Sequence, residues 1–262
     1  MEAVEISPVS MVFCLVLIAV PVIISIYLKL NMTKNFLLAA GRMVLQLGLV
    51  GVFLEYVFEI NNPFLNLGWL FLMIIVATFS SLKNSNLKIR KFLFPMFLSF
   101  ASANTAVLFF VNAAIINLDN IFEAQYVIAV GGMILGNSLR GNIIGLNSFY
   151  NSVEKDSKTY LFRLACGASL SEACVIYIRE SLRLALTPIM ATMATIGIVS
   201  LPGMMTGQIL GGSSPVTAIK YQVVIMLAIV AAMTMSLVLS VLFTMRAGFD
   251  DYGILKRDIF AK

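Results

Sequence analysis

The carboxylates Glu55 and Glu59 are the first residues of this sequence whose type and spacing could serve chemistry. On a helix they lie one turn apart on the same face, where a pair of carboxylates can bind a hard cation. A helix end exposed to water often carries the same pair, so they are weak candidates for metal ligands. Thioethers can hold soft metal ions, and Met204 and Met205 are adjacent, but methionines in an apolar segment more often serve packing.

Polar side chains that interrupt long apolar stretches form a second group, because such residues often line a binding cavity or a path for a solute. The members are Arg42, Gln46, Asn137, Arg140, and Pro202, Gly203 and Gln208 around the two methionines. Arg42 can instead extend to nearby water and serve as an anchor. Asn137 and Arg140 can be solvated near a helix end. Gly203 and Gly207 have the spacing of a close helix crossing or a two-fold interface.

The motifs of several enzyme classes are absent from the sequence. There are no histidines, which excludes imidazole metal ligands and histidine acid–base catalysis. The sequence contains no G-x-x-x-x-G-K-[ST] phosphate loop, no H-E-x-x-H and no G-x-S-x-G. We therefore expect no catalytic residue, no cofactor bound by this chain and no ATP bound through a phosphate loop of its own.

The composition indicates that a membrane positions these residues. Of 262 residues 60% are hydrophobic and 12% charged, and the mean hydropathy is +0.96. Soluble domains carry about 25% charged residues, and a soluble core cannot hide this much apolar surface behind so few charges. These values exclude an ordinary soluble enzyme, a disordered chain and a disulfide scaffold. The net charge of +5 then reports orientation before it reports any nucleic-acid partner.

Seven apolar runs are long enough to cross a bilayer as helices, which takes about 20 residues each. They span residues 9–28, 36–58, 64–82, 92–116, 126–146, 185–209 and 223–245. Their length and continuity exclude barrel strands. The first run follows Glu2 and Glu5 rather than a basic segment, so we expect it to be retained as an anchor. The sequence predicts an all-α membrane protein, a bundle of about seven transmembrane helices that forms a single transmembrane domain over residues 1–262.

The basic residues predict the orientation of this bundle. All of the 18 Lys and Arg residues except Lys220 fall on alternate connections or on the C-terminal tail. By the positive-inside rule the N-terminus lies outside the cell and the C-terminus in the cytoplasm.

The longest connection, residues 151–183, is predicted to be cytosolic and to form two helices with a corner between them. The first covers 154–166 and ends at Gly167 and Ala168. Ser169 and Glu172 then have the S-x-x-E spacing of a capping box, which starts a second helix over 170–184 that runs toward the sixth span. This connection could lie on the headgroups as a surface helix, or it could dock a cytosolic partner.

The sixth span is predicted to be irregular. Pro188 near its start lacks a donor and bends a helix, and Pro202 follows Gly197. Such a break can serve a tight helix crossing, or it can border a conduction path, where non-helical backbone is tolerated because it does not face lipid.

Several stretches resemble FetB-type ABC-transporter permeases, in order along nearly the whole chain. The most specific is S-L-P-G-M-M-T-G, which covers residues 200–207. Further similarity lies in residues 41–51, 132–137, 167–173, 178–183 and 215–222. The chain is therefore identified as a member of that family.

The resemblance implies the membrane half of an ABC exporter, most often for iron, in a bacterial inner membrane. Plant relatives are linked to aluminium tolerance, so the family does not specify one metal. Two permease chains would pair, and a separate ATPase subunit would bind ATP and Mg. The corner would dock that ATPase through Gly167, Ala168, Ser169, Glu172 and Ala173, although the order G-A-S-x-x-E-A departs from the pattern of importer permeases. The polar group defined above and the two methionines would line the translocation path.

Two other functions fit the residues without the resemblance. A secondary transporter or small-solute channel would work without an ATPase. A membrane receptor or scaffold would use the 151–183 connection as an effector site. The lipid bilayer is a partner under each hypothesis, and none of them involves nucleic acid.

Overall fold

The computed structural model describes residues 7–260, and its regular elements are helices. Glu2 and Glu5, on which the expectation of a retained anchor rests, and Lys262, one of the basic residues of the orientation argument, lie outside the described residues. The α-helices are α1 (Pro8–Cys14), α2 (Ala19–Tyr27), α3 (Thr33–Ile60), α4 (Pro63–Asn84), α5 (Ile89–Phe110), α6 (Gly131–Lys155), α7 (Ser157–Ala165), α8 (Leu170–Thr195), α9 (Gly203–Leu210) and α10 (Pro215–Gly248). Single π-helical turns extend α5 to Ile115 and precede α6 from Gln125. The all-α prediction is confirmed.

Among the described residues, six helices are long and apolar enough to cross a membrane. They span Val9–Tyr27, Thr33–Ile60, Pro63–Asn84, Ile89–Ile115, Gln125–Lys155 and Pro215–Gly248, and they correspond to predicted runs one to five and seven.

The predicted sixth span, residues 185–209, is not one continuous helix, so the count of seven is not confirmed. Helix α8 ends at Thr195, and α9 starts at Gly203. Between them Gly197 takes φ +86°, a left-handed conformation that favours glycine, and Pro202 has no N–H to continue a helix. Pro188, by contrast, lies within α8, which continues through it.

The core of the protein lies between α4, α5, α6, α8 and α10, and α10 has its most extensive contacts with α5 and α6. Its largest buried side chains are aromatic and include Phe92, Phe100, Phe149 and Tyr150. Helix α3 differs, because Val57 is its one buried residue. Val57 packs with Ala124 and Ile128 in a small separate cluster, so most of α3 presents an apolar surface.

Three segments predicted to be cytosolic meet at one end of the bundle. The carboxylate of Asp258 in the C-terminal tail pairs with Lys91 at the start of α5, and the backbone N–H of Lys88 donates to the carbonyl of Ile259 at 2.8 Å. The hydroxyl of Tyr160 in α7 donates to the carbonyl of Gly253 in the same tail. The 84–91 connection, α7 and the tail therefore lie on the same side, as the charge pattern requires.

Two glycines of α6 let α10 approach it closely. A Cβ atom on Gly141 would lie 2.4 Å from Cγ of Met233, and one on Gly145 would lie 2.5 Å from Cδ1 of Leu237. Such distances are too short for any side chain larger than glycine unless its neighbour moves, so this contact depends on both glycines.

Replacing Gly145 with alanine should lower the free energy of unfolding by about 1–3 kcal/mol, because the methyl groups of buried Leu237 would have to move. Gly136→Ala is the matched control, since a Cβ atom there meets no atom within 4 Å and alanine favours a helix. Thermal unfolding of both variants in detergent checks this. Equal melting temperatures for the two variants would contradict the close contact.

Candidate functional site

The corner between α7 and α8 is formed by local backbone interactions. Gly167 takes φ +92°, which lets the chain reverse direction where a side chain would be strained. Its N–H donates to the carbonyl of Leu164 at 2.9 Å, and the N–H of Ala168 donates to that of Arg163 at 3.1 Å. These bonds satisfy carbonyls that the end of α7 would otherwise leave free.

The predicted capping box starts α8. The carboxylate of Glu172 accepts hydrogen bonds from the backbone N–H of Ser169 at 2.8 Å and from its hydroxyl at 2.7 Å. The N–H of Glu172 donates in return to Oγ of Ser169 at 3.4 Å. The side chain of Ser169 first, and then its backbone N–H, lower the pKa of Glu172 below its ordinary value. Glu172 is exposed, so the corner presents a carboxylate that keeps its charge to a lower pH than an ordinary glutamate does.

The opposite face of α8 is fixed to the core. Ala173 and Cys174 are fully buried, and burial raises the pKa of the Cys174 thiol to about 11. The hydroxyl of Tyr177 donates to Oδ2 of Asp156 at 2.8 Å, which joins α8 to the end of α6. Burial first, and then this bond, raise the pKa of Tyr177 to about 12. The hydroxyls of Thr159 and Tyr177 lower the pKa of Asp156 in turn.

Helix α8 therefore connects two distant parts of the molecule. It begins at the exposed corner, continues for 26 residues, about 39 Å at 1.5 Å per residue, and ends at Thr195. Near its start Tyr177 contacts the end of α6, and near its end Met193 lines a pocket with the first turns of α10. One continuous helix, with Pro188 inside it, thus links the corner to the break at residues 196–202.

The break exposes apolar side chains. The N–H of Gly197 donates to the carbonyl of Ser200 at 2.9 Å, which closes a tight turn. Ile198 at the tip of this turn is 91% exposed. Helix α9 then packs on α10.

Beside the break lies a pocket of about 530 Å³. Its walls come from the end of α8, the break, α9 and α10, and they include the thioethers Met193, Met205 and Met226. Gln222 lines the same pocket, is only 7% exposed, and has no partner for Oε1 among the described atoms. Oε1 of Gln208 likewise has none. The pocket therefore offers soft thioethers and one amide that a ligand or water could satisfy.

Gln222 is a residue that the sequence analysis left out of the candidate path. It immediately precedes the seventh apolar run, where a polar residue is typical of a helix end in water. Its burial results from the packing of α9 and the break over α10, which a single apolar run does not reveal. The sequence offered one indication of a functional role for Gln222, namely that it is a polar residue within 215–222, a stretch that resembles the family.

The predicted path residues do not form one group in this chain. Arg42 and Gln46 are exposed on α3, and neither lines the pocket beside the break. Asn137 is half-buried and its amide donates to the carbonyl of Met133 in its own helix at 2.8 Å. Arg140 is exposed.

The remaining candidates lie at the start of α9 or within it, and on α3. Pro202 and Gly203 begin α9, Met205 is buried in the pocket, and Met204 and Gln208 are half-buried. The pair Glu55 and Glu59 is exposed on α3. Within residues 7–260 no group of three or more His, Cys, Asp or Glu side chains could hold a metal ion.

A buried set of amides and hydroxyls joins α5, α6 and α10. The hydroxyl of Ser138 donates to Oδ1 of Asn104 at 2.7 Å, and the amide of Asn142 donates to Oγ of Ser236 at 2.9 Å. All four side chains are at most 3% exposed. Paired in this way, they hold the helices together as interhelical hydrogen bonds do in membranes.

Comparison with known proteins adds the relatives of the chain. A model of the uncharacterised protein family UPF0014 matches residues 8–249. The probable iron export permease protein FetB of Escherichia coli is 32% identical over 242 residues, 92% of each chain. A UPF0014 membrane protein of Synechocystis sp. is 32% identical over 207 residues, 79% of this chain and 80% of that one. The protein ALUMINUM SENSITIVE 3 of Arabidopsis thaliana is 26% identical over 250 residues, 94% of this chain and 89% of that one. No solved structure matches.

Ser169→Ala should raise the amide hydrogen-exchange rate in the first turn of α8 by roughly threefold to thirtyfold, because loss of a helix N-cap destabilises the turn that it caps. Ser171→Ala is the control, since Ser171 is exposed, lies two residues after Ser169 and caps no helix. Hydrogen–deuterium exchange with mass spectrometry measures both variants. If Ser171→Ala accelerates exchange as much as Ser169→Ala, the capping box does not fix the corner.

Proposed function

The chain belongs to the UPF0014 family of membrane proteins, and from this premise we propose that it is the permease subunit of an ATP-driven exporter. Its cargo would be metal ions, iron first, moved out of the cytoplasm. The chain spans the membrane several times and is similar over 92% of its length to a probable iron export permease. The ATP and Mg belong to a separate ATPase subunit, and the chain itself performs no bond chemistry.

One observation carries this proposal, namely that α8 runs without interruption from the exposed corner to the break. A motor that pushes on the corner would move the far end of a stiff helix by a comparable distance, whereas a flexible loop would absorb the push. The far end lies at a pocket with an unsatisfied amide, so the motion would reach a place where a solute can bind.

The ATPase would contact the exposed part of the corner. Gly167, Ser169 and Glu172 are exposed and Ala168 is half-buried, so these four can meet a partner. Ala173 is fully buried, and it would support the corner from within. Under this proposal the corner would lie in the cytoplasm of a bacterial cell, with the C-terminal tail beside it and the N-terminus outside.

Two permease chains would enclose the path. Arg42 and Gln46 are costly in lipid, and their helix has little cover within its own chain, so a second copy would supply that cover. Asn137, Arg140 and the 202–208 segment with Gln208 would face the path from the other helices. ATP binding would then switch the pair between an inward-facing and an outward-facing state.

Glu172→Arg should abolish copurification of the ATPase subunit while the permease still inserts into the membrane. The change removes the exposed carboxylate and one half of the capping box at the same place. Glu154→Arg is the matched charge reversal, on an exposed residue near the end of α6. Affinity purification from solubilised membranes scores both variants, and retention of the ATPase by the Glu172→Arg protein would remove the docking site from the corner.

Liposomes that contain the permease and its ATPase should move iron only when ATP is supplied, and a panel of other divalent metals tests the cargo. Asn137→Leu should lower this transport without lowering assembly. The control Thr234→Val removes another side chain that bonds to its own helix, at Val230. Normal transport by Asn137→Leu would assign Asn137 to packing, and transport by the permease alone under an ion gradient would favour a secondary transporter.

A further inference from the structure

A groove runs along the surface between α6 and α8, toward the end of α6. It consists of two adjoining pockets of about 750 and 430 Å³ that share Ser152 and Lys155. The two helices are antiparallel here, because Tyr177 lies by Asp156 whereas Leu184 lies by Ile143 and Ile144. We call this feature the α6–α8 groove, and it is separate from the corner at residues 167–173.

Along the α6 wall, the polarity of the groove changes in one direction. Its deeper end is apolar and is lined by Ile143, Ile144 and Leu184. Its middle carries amides and a hydroxyl, from Asn147, Asn151 and Ser152. This order of an apolar part followed by a neutral polar part matches an acyl chain followed by a glycerol ester.

The outer end of the groove is cationic. Lys155 and Arg179 line it, and Arg183 lies one helical turn deeper, directly before Leu184; all three are exposed. Within the described part of the chain the one ion pair joins Lys91 to Asp258, so none of these three cations is paired there. Asp156 and Glu180 also line this end, and Asp156 already accepts a bond from Tyr177. Three cations against two carboxylates leave a positive excess of one charge.

The groove also lies at the depth where a headgroup would be. The helix Gln125–Lys155 has 31 residues, more than the roughly 20 that cross the hydrocarbon, and its apolar run ends at residue 146. The apolar end of the groove therefore lies at the edge of the hydrocarbon, and the cations lie on the water side of that edge. Basic pockets between membrane helices at this level bind the headgroups of anionic lipids.

We propose that the α6–α8 groove binds one anionic phospholipid per chain. The phosphate lies at Lys155, Arg179 and Arg183, the glycerol region lies along the amides of the middle, and an acyl chain lies against the apolar end. The lipid fills the space between α8 and α6 and so stiffens the contact that Tyr177 makes with Asp156. This site requires only that the chain spans a membrane, and it is independent of any ATPase.

The test is a lipid titration of the delipidated, detergent-purified chain, followed by native mass spectrometry. Dioleoyl phosphatidylglycerol should bind as a single tight adduct, and phosphatidylcholine with the same chains should bind more weakly. Each cation near an anionic surface contributes about 1 kcal/mol, so affinity for phosphatidylglycerol should fall about fivefold for each cation removed. The double variant Arg179→Gln with Arg183→Gln should therefore lose about 25-fold.

The matched control is Lys158→Gln with Arg90→Gln, which removes two exposed cations that do not line the groove. It should keep the affinity of the unmodified protein, and thermal unfolding of both double variants checks that they are folded.

Four results would each overturn the proposal. They are equal affinity for the two lipids, equal losses in the two double variants, displacement of phosphatidylglycerol by millimolar inorganic phosphate, and loss of ATPase copurification by the Arg179/Arg183 variant with lipid affinity unchanged. The third would indicate a free-phosphate site, and the fourth a protein interface. The titration contains neither ATP nor ATPase, so its failure would not contradict the exporter proposal. Failure of ATP-driven transport would likewise not contradict the lipid site.

Discussion

A peptide group inside a bilayer must find its hydrogen-bond partner within its own helix or in nearby protein, because no water is available there. The six long apolar helices meet this requirement mainly through their own backbone bonds. The segment between α8 and α9 meets it through a turn, in which the N–H of Gly197 donates to the carbonyl of Ser200 and the N–H of Val199 donates to that of Thr195. Residues 196–202 leave the helical path, and their tip carries Ile198 almost fully exposed. Non-helical backbone at membrane depth is tolerated beside protein or a cavity, and the break borders a pocket with Gln222 in its wall. The packing of α9 on α10 forms part of that pocket.

Helices α5, α6 and α10 are closely packed, whereas α3 has few contacts within the chain, and the position of the paired polar groups follows this division. Helices α5, α6 and α10 share buried hydrogen bonds, such as Asn142 to Ser236, and glycines without room for a Cβ atom, such as Gly145. A rotation within this part would break several contacts at once. Helix α3 carries Arg42 and Gln46 on a surface with little cover. A movement of α3 relative to α5, α6 and α10 would therefore break the fewest contacts. If two chains pair as proposed, we expect their conformational change to occur at α3.

Features that depend on a few neighbouring residues could be predicted from the sequence. The capping box needs only Ser169 and Glu172, and the stop before α9 needs only Pro202 with its missing N–H, so both are present in the structure. Features that depend on distant residues could not be predicted. The burial of Gln222 requires α9 to fold over α10, and the isolation of Asn137 from the pocket depends on how α6 is rotated. The count of seven spans is not confirmed because the predicted sixth run does not form a helix of its own. Its first part continues the charged corner helix as α8, and the break at residues 196–202 separates its last part, which belongs to α9. Hydropathy alone cannot reveal such a fusion.

The same fusion explains why the two ends of α8 carry such different chemistry. At its start the helix is capped by Ser169 and carries the exposed carboxylate of Glu172. At its end it carries Met190 and Met193. A helix of this kind is held in place at the level where water meets hydrocarbon. There Tyr177 bonds to Asp156, and the cations Arg179 and Arg183 follow within two turns. If an ATPase docks at the corner as proposed, its force would pass this level before it reached the break. The contact between α6 and α8 would then determine how much of that force is transmitted, and a lipid bound between the two helices would act at this contact.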